Sequence, residues 1–119
     1  MERQERITKL AEGLGWQYYI GANTGLVRVV RNKVHSYFDP LVNIKDCFAM
    51  VEEITSWGVE FYLFYKAPTQ FNVGFGQVGW IAEIRVVNQS GKAIRHFRDM
   101  NSNEKDAICN VMESYLKEK

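Results

Sequence analysis

The sequence predicts an α+β domain: a largely antiparallel sheet with helices packed on it. Three observations carry this. The stretch YFDPLVNIKDCFAMVEEITSW, residues 37–57, holds a turn, a helix start, a complete amphipathic helix and its stop. Elsewhere, short β-branched and aromatic segments are joined by connections of hairpin length, which favours antiparallel pairing. The elements run α-β-β-(β)-α-β-β-β-(β)-α, with strands in runs rather than alternating one by one with helices. At 119 residues the chain reads as one domain, residues 1–119, which buries roughly two-thirds of its unfolded surface, enough for a core without staples.

Ile7, Leu10, Ala11 and Leu14 recur at helical spacing before Gly15, a first helix over residues 3–14 that Gly13 weakens. Residues 16–20 are aromatic-rich and read as a strand. Gly21, Asn23 and Gly25 supply turn chemistry, and residues 26–31 return as the second half of a hairpin. Asn32 and Lys33 turn the chain into a short third strand over residues 34–38. Asp39-Pro40 then forbids helix, because proline fixes φ and pushes its predecessor toward extended geometry. Asn43 is placed to N-cap the second helix, and Asp46 puts negative charge near the positive end of its dipole. Ile44, Cys47, Phe48, Val51 and Ile54 form its apolar stripe, with Lys45, Glu52 and Glu53 on the wet side and Gly58 as an αL stop.

Residues 59–66 carry apolar side chains on both faces, which predicts a central strand covered on both sides. Pro68 ends it. Phe71, Val73 and Phe75 alternate with polar or small residues as a further strand, and residues 76–79 make a tight connection. Residues 80–87 are again β-branched. Asn88 to Gly91 turn the chain, and residues 92–97 read as an edge strand rich in Lys and Arg. Asn101 or Ser102 caps the last helix, with Glu104 placed for a capping box. Its stripe is Ala107, Ile108, Val111, Met112 and Tyr115.

Composition excludes several classes. No apolar run reaches membrane-spanning length, and the charged start MERQERITKL lacks the apolar region of a secretory signal, so a cytoplasmic protein is expected. Cys47 and Cys109 both fall on helix core faces and read as buried free thiols. Net charge is +1, but its distribution is uneven. Residues 26–38 contain Arg28, Arg31 and Lys33 and no acid; residues 84–98 contain Arg85, Lys92, Arg95 and Arg98 and no acid.

No motif carries a reaction. Gly74, Gly76 and Gly79 spell G-x-G-x-x-G, but strand-like residues follow where a dinucleotide fold needs a helix, so hairpin glycines are the reading. His35 and His96 have no partner at metal-ligand spacing, and Cys47 lies inside a helix rather than at an N-terminus or beside clustered cations. Glu52 and Glu53 are adjacent on a helix and point apart. No catalytic residue, metal ligand or cofactor is therefore assigned. An enzyme would need a polar cleft lined by groups such as Glu60, Glu83, Arg85 or His96. The signal above background is aromatic and basic together: Trp16, Tyr18, Tyr19, Tyr37, Phe64, Tyr65, Phe71 and Trp80 accompany the acid-free segments. An open sheet face of that kind holds single-stranded nucleic acid; if helices cover both faces, the aromatics are core instead.

YFDPLVNIKDCFAMVEEI, followed near the C-terminus by AICNVMESYLK, resembles the phage ABA sandwich domain, a family of small bacteriophage and prophage proteins. Phe38-Asp39-Pro40, Asn43-Ile44, Asp46, Val51-Glu52 and Ala107-Ile108-Cys109 match its pattern, and the order of elements matches over nearly the whole chain. Cys47 stands where a small residue is usual, and residues 103–106 replace a proline-containing lead. The resemblance implies a three-layer α/β/α sandwich and brings no activity with it. The expectation is a non-enzymatic phage or prophage accessory protein in the bacterial cytosol, binding a protein or small ligand. The alternative is a nucleic-acid-binding protein. Contacts in either case fall to Arg28, Arg31, Lys33, Arg85, Lys92, Arg95 and Arg98, and self-association through a strand edge stays open.

Overall fold

The computed structural model describes residues 2–67 and 79–119. Among the described residues three helices and six strands follow one another as α1 (Arg3–Gly13), β1 (Gln17–Ile20), β2 (Val27–Arg31), β3 (Val34–Tyr37), α2 (Ile44–Ser56), β4 (Glu60–Lys66), β5 (Gly79–Val87), β6 (Ala93–Asn101) and α3 (Glu104–Glu118). The strands form two antiparallel sheets of three, β1-β2-β3 and β4-β5-β6, rather than one. Helices pack on them as an α+β sandwich in the element order that the sequence predicts.

Helix α3 is the centre of this arrangement, because it is apolar around most of its circumference. Ala107, Ile108, Cys109, Val111, Met112 and Tyr115 are all buried. On one side Tyr115 meets Phe97 of β6 edge-on, with ring centroids 5.6 Å apart. On another, Gly13 of α1 lies so close that a Cβ there would sit 2.9 Å from the Cβ of Leu116. Gly13 thus costs helix propensity and gains close contact between α1 and α3. A third side faces α2, where Cys47 and Cys109 meet; both are buried free thiols, and the contact with Cys47, followed by burial, pushes the Cys109 thiol far up. One hydrophobic cluster runs through all three helices and both sheets.

Local chemistry sets the boundaries. Asn43 caps α2 by accepting from the Lys45 N–H at 3.1 Å, and Gly58 leaves it with φ of 93°. Asp46 closes the preceding turn, its Oδ2 accepting from the Asp39 N–H at 2.8 Å, and burial raises its pKa. Asn32 and Lys33 both take positive φ, the geometry of a two-residue hairpin turn. Asn88 Oδ1 accepts from the N–H groups of Ser90 and Lys92 and so builds the β5–β6 turn.

Three expectations are corrected. The buried stripe of α2 is Cys47, Met50 and Ile54; Phe48 is 41% exposed, because the side of the helix that meets the core lies one step round from it. Strand β4 is an edge of the described sheet, and β5 is its centre. The cap of α3 is Asn103, whose Oδ1 accepts from Lys105 and Asp106, since β6 runs on through Asn101. The expected proline break at Pro68, the strand of Phe71, Val73 and Phe75, and most of the glycine motif lie outside the described residues. Gly79 opens β5 with φ of 134°, and residues 79–87 are strand, not helix.

Candidate functional site

Strand alternation gives each sheet an inner face toward the helices and an outer face. In the first sheet the inner side chains Val27 and Val29 are buried. On the outer face, register places Tyr19, Arg28 and Tyr37 directly opposite one another across three strands. The Arg28 guanidinium lies over the Tyr37 ring, 4.2 Å from its centroid. The neighbouring hydroxyls, Tyr37 first and then Tyr19, hold its proton more firmly than usual. Tyr19 Oη is 3.0 Å from His35 Nδ1. This face contains no acidic residue: its other members are Gln17 and Val30.

The outer face of the second sheet has different electrostatics. Tyr62, Phe64 and Lys66 of β4 lie beside Ile81, Glu83 and Arg85 of β5 and His96, Arg98 and Met100 of β6. Glu83 is buried at its centre, 6% exposed. Its Oε1 accepts from Arg85 Nε at 3.0 Å and lies 3.2 Å from His96 Nδ1. The Arg85 hydrogen bond, the largest cause, holds the Glu83 carboxyl below its usual range. Arg85 also stacks on Tyr62 at 4.6 Å, and Arg98 reaches toward Phe64 at 6.0 Å. A hollow of about 560 Å³ is lined in part by Lys66, Ile81, Arg98 and Met100.

The seven cations singled out in the sequence do not converge. Arg28 alone of the first group lies on the outer face. Arg31 covers the indole of Trp16 at 4.3 Å, and Lys33 sits in the β2–β3 turn. Arg85 and Arg98 share the second outer face, Lys92 lies in the β5–β6 turn, and Arg95 turns to the helix side and pairs with Glu118 at 2.7 Å. The aromatics divide in the same way. Trp16 and Phe38 are core, 5.3 Å apart, whereas Tyr19, Tyr37, Tyr62, Phe64 and Tyr65 are exposed. Tyr62 and Met100 had no sequence signal of their own; only strand register brings them beside Arg85 and Arg98.

The ionisable residues Glu60, Glu83, Arg85 and His96 do come together, but on an open sheet face. A cavity of about 670 Å³ lies elsewhere, between α1 and α3, and its polar wall is Arg6 bonded to Glu113 and Asn110. Among the described residues no group of three or more His, Cys, Asp or Glu is arranged to hold a metal, and no helix is long and apolar enough to cross a membrane. Comparison with protein-family models, with curated proteins and with solved structures finds no match.

Proposed function

We propose that this chain is a non-enzymatic binding module that takes a protein partner on the outer face of β4-β5-β6. The observation that carries this is the make-up of that face: exposed Tyr62, Phe64 and Met100 surround a carboxylate already compensated from within the fold. Tyr, Phe, Met and Arg are the residues that protein interfaces favour at their centres. Covering an uncompensated buried charge costs several kcal/mol, but Glu83 already has Arg85 and His96, so a partner covers it at little further cost. Arg98 has no carboxylate within ion-pair reach among the described residues, which selects a partner surface that is apolar with an acid at its rim.

A phage or prophage accessory protein working in the bacterial cytosol agrees with this reading. That origin rests on the resemblance of the 37–57 segment and the AIC helix alone. The reading is tested by placing a photo-crosslinking phenylalanine analogue at Phe64 and, as a control, at Lys9 on α1. The expected result in bacterial lysate is a discrete adduct from position 64 that Arg98→Glu abolishes and position 9 does not form. Equal labelling from both positions, or none from position 64, overturns it.

A further inference from the structure

Arg28 differs from most arginines of this molecule. Arg3, Arg6, Arg85 and Arg95 each lie against a carboxylate, of Asp39, Glu113, Glu83 and Glu118 respectively. Arg28 is oriented by neutral groups instead: it stacks on Tyr37 and stands between Tyr19 and Tyr37 in strand register. Among the described residues no acid lies within ion-pair reach of it. Its side chain is thus fixed without being neutralised, so little ordering entropy remains to be lost when an anion arrives. The free edge of the guanidinium fits an oxyanion.

The neighbours specify the anion further. Tyr19 and Tyr37 are 39% and 51% exposed and flank Arg28 on adjacent strands, and His35 adjoins Tyr19. Lys33 adds a further cation at the β2–β3 turn. Ring, cation and ring lie in a row across the sheet at a spacing of about 4.8 Å per strand. That row matches a ligand that repeats anion and flat ring along a flexible chain. Duplex DNA keeps its base faces stacked and presents phosphates alone, and an acidic peptide has no flat ring at each anion. We propose that the outer face of β1-β2-β3 binds single-stranded nucleic acid through Tyr19, Arg28, His35 and Tyr37. The site is separate from the protein-binding face of the second sheet and stands or falls without it.

Fluorescence anisotropy with end-labelled oligothymidylate and oligouridylate at low salt tests this. Binding should weaken steeply as salt rises, because phosphate contacts release counterions. Arg28→Gln, Tyr19→Ala and Tyr37→Ala should each weaken binding by about tenfold, the scale of one stacked base, and Arg28→Lys by less. Arg98→Gln should leave it unchanged. The proposal is overturned by no anisotropy change at low salt, by affinity indifferent to Arg28→Gln, or by loss in Arg98→Gln alone. Competition by inorganic phosphate or polyglutamate as effective as by unlabelled oligonucleotide also overturns it. Should a variant melt early, ultraviolet crosslinking of a bromouracil oligonucleotide to the unaltered protein decides. Adducts within residues 17–37 support the site, and adducts confined elsewhere sink it.

Discussion

The two sheets share a plan and differ in their charge. Each is three antiparallel strands with an inner face on the helices and an outer face on which arginine stacks on an aromatic ring. In β4-β5-β6 the central strand is buried along four consecutive residues, Ile81 to Ile84, and its buried carboxylate fixes Arg85 and His96. In β1-β2-β3 the central strand buries only Val27 and Val29, and among the described residues no acid lies within ion-pair reach of its outer-face arginine, Arg28. A sheet backed by the central helix can place a charge in its outer face and neutralise it locally. The first sheet leaves Arg28 accessible on its outer face. The same arginine–aromatic pair is therefore internally satisfied in one place and available in the other.

The sharpest way to break this comparison is to remove core from each sheet. Ile84→Ala should cost about 2–5 kcal/mol, and Val29→Ala about 1–2 kcal/mol, read from urea unfolding midpoints. Because Val29 loses one carbon fewer than Ile84, equal costs would mean that the first sheet is the better backed per group removed. Next in size is Glu83→Gln, expected to cost about 1 kcal/mol at neutral pH by removing the negative charge that Arg85 pairs with while keeping an acceptor oxygen in place. Its pH dependence has a definite sign. The Glu83 carboxyl is depressed in the folded state, so its contribution is present above the ordinary glutamate value of about 4.3 and disappears as pH falls through the folded value. The difference in melting temperature between the two proteins should therefore close below about pH 4. A difference that grows on acidification would refute the assignment.

Smaller still is Lys33→Gly. Lys33 holds φ of 67°, a region costly for side chains with a Cβ, so glycine should raise stability by about 0.5 kcal/mol. A fall in the thermal midpoint would show that the turn depends on its lysine. The smallest effect belongs to Arg28→Gln, which should leave the thermal midpoint unchanged, because no buried partner is stranded. A clear loss of stability there would make Arg28 a structural residue and remove the asymmetry between the faces.

How much was legible in the sequence follows the range of the interaction. The Asn43 cap, the Gly58 stop, the Asn32-Lys33 turn and the Asn88 turn are read correctly, because each is settled within four residues. The α3 stripe is read in full, since a helix buried on most sides rewards every apolar position. The α2 stripe is misread at Phe48 and Met50: periodicity names an apolar arc, and only the packing partner chooses which part of it is covered. Asn101 is a sound cap by composition, but the pairing of β6 with β5 extends to Asn101↔Trp80 and moves the cap to Asn103.

For the candidate sites the division is sharper. The sequence contains the acid-free segments and the aromatics, and so points to Arg28, Arg85 and Arg98. It also offers Arg31, Lys33, Lys92 and Arg95 on equal terms, because charge along a chain says nothing about which face a residue meets. It reads residues 59–66 as a strand covered on both sides, whereas Tyr62 and Phe64 are exposed and form the second face. By itself, then, the sequence determined the described elements, most of their turns and caps and their antiparallel sense, consequences of backbone geometry and short-range hydrogen bonding. Tertiary structure alone decided that the strands divide into two sheets, which faces stay open, that Glu83 is neutralised and that Arg28 is not. Those outcomes depend on strand register and on the seat of α3 in the core, and contacts between residues far apart in the chain set both.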